Sequence, residues 1–199
     1  MNIAVFASGR GTNFSAIARA VKKGKIPAHL SLLVCDNPKA AVIGKAKRAG
    51  VGVFLIKRSD FTSKRDFEDR IIQRLQEAGI DVIVMAGFMR MLSLEFVQRF
   101  KFKILNIHPA LLPSFKGIQG IEDAFEYGVK VTGVTVHFVD EEMDHGPIIL
   151  QAPVKIDEQE TLVSLEAKIH KIEHKIYPQA VRLFVEGRLK IEGRKVIIQ

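Results

Sequence analysis

The sequence predicts an α/β fold, a single Rossmann-like domain with a mostly parallel twisted sheet flanked by helices and antiparallel additions in its C-terminal part. Two observations support this prediction. Short apolar runs rich in Val, Ile and Leu do not alternate with polar residues, which is typical of parallel strands buried on both faces. Segments with helical spacing separate the runs, and this alternation favours an open parallel sheet with right-handed crossovers.

Five apolar runs are predicted to form the parallel strands, namely residues 2–7, 30–35, 51–56, 81–86 and 103–107. Between them, residues 13–23 and 64–78 repeat apolar side chains every three or four positions. This period predicts amphipathic helices that pack one face against the sheet.

The pattern changes after residue 128. Residues 131–139 and 147–154 are strand-like runs joined by the acidic loop 140–146, which predicts an antiparallel hairpin. A long helix is predicted from Leu162 to Leu183 because apolar residues recur at helical spacing there.

The C-terminal region carries two further signals. Pro178 lies inside the long predicted helix and is expected to kink it. The final segment, 188–199, is predicted to form a small hairpin that turns at Glu192-Gly193. Because the sequence contains no repeat and no Pro/Gly/Ser-rich linker, residues 1–199 are predicted to form a single domain.

Composition limits the possible classes of protein. With 199 residues, 47% of them hydrophobic, the chain can bury a substantial core. No apolar run approaches the ~18 residues of a membrane-spanning helix, and the first run is too short for a signal peptide. The single Cys35 excludes an intramolecular disulfide and a structural zinc site built on cysteines. We therefore expect a cytoplasmic protein without a membrane partner.

The net charge of +8 is distributed unevenly. Residues 1–65 contain thirteen Lys and Arg residues against two Asp residues, which gives +11 for that third of the chain. Such a basic region can bind nucleic acid, attract small anionic substrates, or only solvate helix surfaces. Basicity alone does not decide among these three interpretations.

Polar residues follow the predicted strands at the points where they end. They are Ser8 to Asn13, Asp36-Asn37, Gly87 to Arg90, and Asn106 to His108. Ligands of doubly wound sheets bind outside the carboxyl ends of the strands. The sequence therefore predicts a binding site along this edge.

The stretch FASGRGTNF, residues 6–14, leaves the first strand through two glycines and enters a helix. Backbone N–H groups and the helix dipole at such a turn favour an anion. The turn lacks the Gly-Lys-Ser/Thr ending of a triphosphate loop, and Phe14 replaces the third glycine of a dinucleotide fingerprint. A single phosphate therefore suits it best. Two alternatives stay open: a tight turn capped by Thr12, and a nicotinamide enzyme with Asp36 as its ribose-binding acid.

Asn106 and His108 are two positions apart, so their side chains point the same way from an extended strand end. An amide donor and an imidazole on one side of the backbone can polarise a carbonyl group and handle a proton. The alternative is a structural histidine at the end of a strand. Asp144, in the acidic loop, is by default a solvated carboxylate.

Four segments carry a resemblance to a known family: SGRGTNF, MAGFMRML, LNIHPALLPSFKG and VTGVTVHFVDEEMDHGPII. They resemble the folate-dependent formyltransferases, and more narrowly the branch that acts on phosphoribosylglycinamide. The resemblance extends over nearly the whole chain. It implies transfer of a formyl group from 10-formyltetrahydrofolate, consumed as a co-substrate, to the amine of 5-phosphoribosylglycinamide in de novo purine biosynthesis. It implies small-molecule partners, no metal and no nucleic acid.

The resemblance also implies roles for individual residues. The catalytic residues would be Asn106, His108 and Asp144, with Asn106 and protonated His108 stabilising an oxyanion and Asp144 raising the pKa of His108. The phosphoribosyl substrate would bind at Gly11, Thr12, Asn13, His170 and Glu173. The folate would bind at Lys64, Met89, Arg90, Met91, Leu92, Asn106, Asp140, Glu141, Glu142, Met143 and Asp144. Lys64 departs from the family, which often has Arg at this place, and Lys cannot form a bidentate contact.

Three alternative functions remain at this point. Methionyl-tRNA formyltransferase and formyltetrahydrofolate deformylase use the same chemistry, but each normally carries an additional domain, which the predicted single domain disfavours. A non-catalytic module that binds phosphate or nucleic acid would explain the basic N-terminal third but not Asn106, His108 and Asp144. The sequence does not distinguish a monomer from a homodimer.

Overall fold

A computed structural model describes residues 1–199. Its strands are β1 (Asn2–Phe6), β2 (His29–Cys35), β3 (Gly52–Leu55), β4 (Val82–Met85), β5 (Ile104–His108), β6 (Val131–Phe138), β7 (Ile148–Lys155), β8 (Leu189–Glu192) and β9 (Lys195–Ile198). Its α-helices are α1 (Thr12–Lys22), α2 (Ala41–Arg48), α3 (Lys64–Glu77), α4 (Leu94–Arg99), α5 (Gly120–Tyr127) and α6 (Leu162–Val185). A short 3₁₀ turn covers Arg58–Asp60.

All nine strands form one sheet in the order β3-β2-β1-β4-β5-β6-β7-β9-β8. The first five strands pair in parallel, and β6 and β7 add in antiparallel orientation. The strand order reverses beside β1, which is where ligands bind in sheets of this kind. The predicted fold class is confirmed, and so are the hairpin of β6 with β7 and the C-terminal hairpin.

Both faces of the sheet are covered by helices. In β1, Ile3 and Val5 belong to the larger apolar core beneath α1, α2 and α6, whereas Ala4 and Phe6 belong to a second core beneath α3 and α4. Alternate residues thus enter opposite cores. This explains why the strands read as continuous apolar runs.

The long helix α6 connects the sheet to the site described below. It begins with a capping box between Thr161 and Ser164 and continues through Pro178; the predicted kink stays a prediction. Tyr177 is fully buried, and its hydroxyl oxygen lies 2.6 Å from the carbonyl oxygen of Met85 and 3.0 Å from that of Leu105. The hydroxyl therefore fixes α6 against β4 and β5. None of the helices combines the length and apolarity needed to cross a membrane.

Candidate active site

A cavity of about 560 Å³ opens at the carboxyl ends of β1, β4 and β5. Its wall contains every residue predicted for catalysis and for the phosphoribosyl substrate, and all but one of those predicted for the folate. The exception is Lys64. The structure therefore brings together positions that lie more than 160 residues apart in the sequence.

The glycine turn forms one end of the cavity. Gly11 adopts a left-handed conformation (φ 69°), and a Cβ there would lie 2.4 Å from a methyl carbon of Val42, so only glycine fits. The helix α1 begins at Thr12, and no side chain caps its terminus. The alternative in which Thr12 caps the helix is therefore wrong. The first N–H groups of α1 remain available to an anion.

A polar chain runs from this turn to α6. The Asn13 amide nitrogen donates to Glu173 Oε2 at 3.0 Å, and His170 Nδ1 donates to the same oxygen at 3.0 Å. Arg10 donates to His170 Nε2, also at 3.0 Å. The Asn13 amide oxygen is buried and has no hydrogen-bond partner. This free oxygen of Asn13 and the nearby Glu173 carboxylate can both accept hydrogen bonds from a ligand with N–H groups.

Glu173 also determines the titration of His170. Its hydrogen bond is the main reason that the pKa of His170 is raised, and burial and the Arg10 charge oppose this effect. In the neutral ring the proton lies on Nδ1, because Nε2 accepts from Arg10. Protonation at Nε2 would therefore release Arg10 from this hydrogen bond.

At the other end of the cavity, Asn106 is held between two side chains. Antiparallel pairing of β5 with β6 places Asn106 opposite His137. His137 Nδ1 donates to the Phe138 carbonyl at 2.7 Å, so its Nε2 accepts from the Asn106 amide nitrogen at 3.2 Å. The same nitrogen lies 3.5 Å from Asp144 Oδ1. The donor face of Asn106 is thus oriented before any ligand binds.

His108 is buried beside Asp144. Its Nε2 donates to the Phe115 carbonyl at 2.7 Å, and its Nδ1 lies 3.4 Å from Asp144 Oδ2. Because a carbonyl can only accept, the neutral ring carries its proton on Nε2 and has no donor on Nδ1. Only the charged ring can donate a hydrogen bond at Nδ1.

The pKa of His108 is lowered, because burial outweighs the carboxylate of Asp144 and the Phe115 carbonyl, both of which raise it. Asp144 raises the pKa of His108, as expected, but burial has the larger effect, so the net direction is downward. The side chain of His108 is only 3% exposed, so desolvation of its charged form is large.

Asp144 itself is stabilised as a carboxylate. Burial, the largest influence, raises its pKa, but His137, the hydrogen bond from the Gly117 amide and the charge of His108 lower it on balance. The Gly117 N–H donates to Oδ2 at 2.9 Å. Asp144 adopts a left-handed backbone conformation (φ 49°), which is unusual outside glycine and directs its side chain into the cavity.

The residues predicted for the folate line the cavity in two segments, Met89–Leu92 and Asp140–Asp144. Met89 and Met91 are largely exposed apolar side chains on this wall. Lys64 does not reach the cavity; its ammonium lies 3.8 Å from Glu68 Oε1 at the start of α3. Lys64 therefore lies outside the cavity wall, and its contact with the folate stays a prediction.

Asp36, the residue that kept the nicotinamide alternative open, is bonded to protein groups. Its two carboxylate oxygens accept from the Ser8 hydroxyl and from Arg90. A ribose-binding acid needs a free carboxylate edge. The geometry of Asp36 therefore gives this alternative no support. No group of three or more His, Cys, Asp or Glu side chains is arranged to hold a metal ion.

Sequence reasoning missed two polar side chains of the cavity wall, His137 and Arg10. His137 lies within the apolar run of β6, where nothing marks it as polar lining, and only its pairing opposite Asn106 reveals its place. Arg10 was counted among the general basic charge. Its position between two glycines of the turn that is predicted to bind phosphate was the available signal.

Comparisons with known proteins show the family of the chain. The family model described as formyl transferase matches residues 1–181. The phosphoribosylglycinamide formyltransferase of Bacillus subtilis (strain 168) is 46% identical over 179 residues, which cover 90% of this chain and 92% of that protein. The crystal structure of glycinamide ribonucleotide transformylase 1 from Symbiobacterium toebii has a TM-score of 0.97 at 43% identity, covering 100% of this chain and 93% of that one.

The fold also occurs in another enzyme class. A formyltetrahydrofolate deformylase from Pseudomonas syringae pv. tomato has a TM-score of 0.92 at 20% identity, covering 99% of this chain and 65% of that one. At this identity the likeness concerns the fold alone.

Proposed function

This chain belongs to the formyl transferase family and is a transferase, and on that premise we propose that it transfers the formyl group of 10-formyltetrahydrofolate to the amine of 5-phosphoribosylglycinamide. One observation carries the proposal. A single cavity contains an uncapped helix terminus for a phosphate, a buried carboxylate for an amine, and an Asn-His-Asp group for a developing oxyanion.

The substrate phosphate binds at the N-terminus of α1. The N–H groups that follow Gly11 have no side-chain cap, and the helix dipole adds a partial positive charge. Gly11 permits the close approach because it has no Cβ. Thr12 and Asn13 supply the next two N–H groups.

The acceptor amine binds beside Glu173. This carboxylate is 5% exposed and already accepts from Asn13 and His170, so a third N–H donor completes its coordination. The unpartnered oxygen of Asn13 accepts a second amine proton. Together they orient the amine lone pair toward the formyl group.

The formyl folate lies between Met89–Leu92 and Asp140–Asp144, where exposed methionines provide an adaptable apolar surface for its ring system. The amine nitrogen attacks the formyl carbon and forms a new C–N bond. The carbonyl oxygen becomes an oxyanion. When the bond from the formyl carbon to N10 breaks, N10 takes a proton and the amine has lost one.

Asn106 and charged His108 stabilise that oxyanion. Asn106 donates from its amide nitrogen: one proton stays on His137, and the other exchanges its long 3.5 Å contact with Asp144 Oδ1 for the oxyanion. His108 donates from Nδ1, and only its charged form has a proton there. Asp144 favours this form, against the effect of burial. The carboxylate thus sets the fraction of His108 that is active.

An assay with three acceptors tests the proposal. The protein is mixed with 10-formyltetrahydrofolate and with phosphoribosylglycinamide, with methionyl-tRNA, or with neither. Tetrahydrofolate release should require the ribonucleotide. Release in its absence would indicate a deformylase, and release only with tRNA would indicate the tRNA enzyme. A cytoplasmic location, the single domain, and the absence of metal, membrane and nucleic-acid partners stay predictions.

A further inference from the structure

A second cavity lies between α1, α2 and α6. Its volume is about 670 Å³, and it shares only Thr12 with the candidate active site. Its wall contains six Lys or Arg side chains and no Asp or Glu: Arg19, Lys23, Lys25, Lys45, Lys175 and Arg182. We refer to this cavity as the basic groove.

The charges of the basic groove are not neutralised by the protein. Five of the six cations form no ion pair; only Arg182 has a carboxylate nearby, with Glu186 Oε1 3.9 Å from its Nε. That Nε atom is buried and has no hydrogen-bond partner. Unpaired like charges around one cavity repel each other, and a bound anion would relieve that repulsion.

His174, on the wall of the groove, responds to the same field. Burial is the main cause of its lowered pKa, which Glu173 opposes, and the positive charges of His170, Arg19 and Lys45 lower it further. Four of the six cations come from residues 1–65. The groove therefore accounts for part of the strong basic charge of the N-terminal third, which the proposed formyl transfer does not use.

We propose that the basic groove is a second binding site, separate from the cavity for formyl transfer, for a polyanion that carries two or more linked phosphate groups. Guanidinium forks and lysine ammonium groups are the donors that phosphate oxygens prefer. The hydroxyl of Thr12 and the amide of Gln179 add neutral donors. A chain of phosphates reaches more of the six cations than a single phosphate does.

The lining also indicates which part of the ligand is recognised. The apolar members of the wall are small or aliphatic, including Ala16, Ala20 and Ile26, and no Phe, Tyr or Trp is present. His174 is therefore the only aromatic ring on the wall, and a nucleotide base would find no large aromatic platform on which to stack. The site therefore binds the phosphate chain itself, in a nucleoside polyphosphate as well as in an inorganic polyphosphate.

Calorimetric titration of the full chain with inorganic tripolyphosphate tests the proposal at about 0.15 M salt, where weak surface attraction is screened. We expect saturable binding of one tripolyphosphate per chain, with ATP binding about equally and orthophosphate at least about tenfold more weakly. The double variant Lys23→Ala/Lys175→Ala should weaken binding by about tenfold or more.

The matched control is Lys22→Ala/Lys171→Ala. Lys22 on α1 and Lys171 on α6 are exposed and do not line the groove. Their replacement removes the same amount of positive charge as the replacement of Lys23 and Lys175. The control variant should change tripolyphosphate affinity by less than about twofold. Formyl transfer should be unaffected in both double variants.

Three results would overturn the proposal. They are the absence of saturable tripolyphosphate binding, equal weakening by the two double variants, and competition of tripolyphosphate with the ribonucleotide in the rate assay. Tighter binding of an oligoglutamate than of tripolyphosphate would overturn the phosphate assignment. The titration requires no formyl donor, so its outcome is independent of the proposed reaction.

Discussion

The two ends of the candidate active site each place a histidine beside a carboxylate, yet the two pKa values move in opposite directions. His108 lies 3.4 Å from Asp144 and its pKa is lowered, whereas His170 lies 3.0 Å from Glu173 and its pKa is raised. The side chain of His108 is 3% exposed and that of His170 is 28% exposed. A neighbouring carboxylate therefore does not fix the sign of the shift; burial and bond geometry do.

The largest effect is expected from Asp144→Asn, which breaks the buried pair. Loss of the carboxylate removes the main influence that raises the pKa of His108, so less of the ring is charged. We expect kcat to fall by about 10²–10⁴, the range of acid–base groups. The basic limb of the pH–rate profile should move to lower pH. A full loss of rate with an unmoved limb would mean that Asp144 only positions the ligands.

Asn106→Ala sharpens the comparison at the same end. This variant removes an oxyanion donor without removing a charge, so kcat should fall by about 10²–10³. The basic limb of the profile should stay where the parent enzyme has it. A shift of that limb would show that Asn106 also controls the protonation of His108.

Glu173→Gln breaks the more exposed pair. The amide keeps the shape but loses the charge that binds the amine, so KM for the ribonucleotide should rise about 10–100-fold, as expected for a charge-assisted hydrogen bond. The affinity for the folate should be unchanged. Glu166→Gln, on the same helix but outside the cavity wall, is the control. Equal kinetics in the two variants would contradict the assigned role.

Arg10→Met tests whether the chain of hydrogen bonds beyond Glu173 extends to the substrate phosphate. Arg10 is exposed, so we expect KM for the ribonucleotide to rise only about 3–10-fold, with partial recovery in Arg10→Lys. The dephosphorylated riboside serves as the comparison substrate. If the variant impairs ribotide and riboside equally, Arg10 does not contact the phosphate.

The smallest effect concerns stability. Because the pKa of His170 is raised, its charged form stabilises the folded state; this stabilisation is complete below the unfolded pKa of about 6.5 and is lost as pH rises through the folded value. His170→Gln should therefore lower the free energy of unfolding more at about pH 5.5 than at about pH 9. Urea unfolding measures it. Because the pKa of His108 is lowered, charging His108 destabilises the folded state instead. A difference in unfolding free energy that does not change with pH would contradict the role assigned to His170.

Much of the fold could be predicted from the sequence because strands buried on both faces leave continuous apolar runs. The five parallel strands and both hairpins follow from this pattern. The short helices α4 and α5 were not predicted, because six to eight residues are too few to show a helical period.

The site was predicted less evenly. Gly11, Asn106 and His108 stand at ends of elements, where chemistry-bearing residues are visible in the sequence. His137 is recognisable only through strand register, and the position of Lys64 outside the cavity wall, beside Glu68, depends on the tertiary fold. The net shift of His108 depends on burial, which no local pattern reveals.

The hydroxyl of Tyr177 has a consequence for local unfolding. It bridges to two carbonyl groups in the centre of the sheet, four residues after Glu173 on α6. The middle of α6 therefore cannot separate from β4 and β5 without exposing a buried hydroxyl and two carbonyls. Amide hydrogens in this part of α6 should exchange at the same slow rate as those of the central strands, as one cooperative unit. The amide hydrogens of the terminal hairpin of β8 and β9 should exchange faster, and Glu173 should stay in place while that hairpin opens.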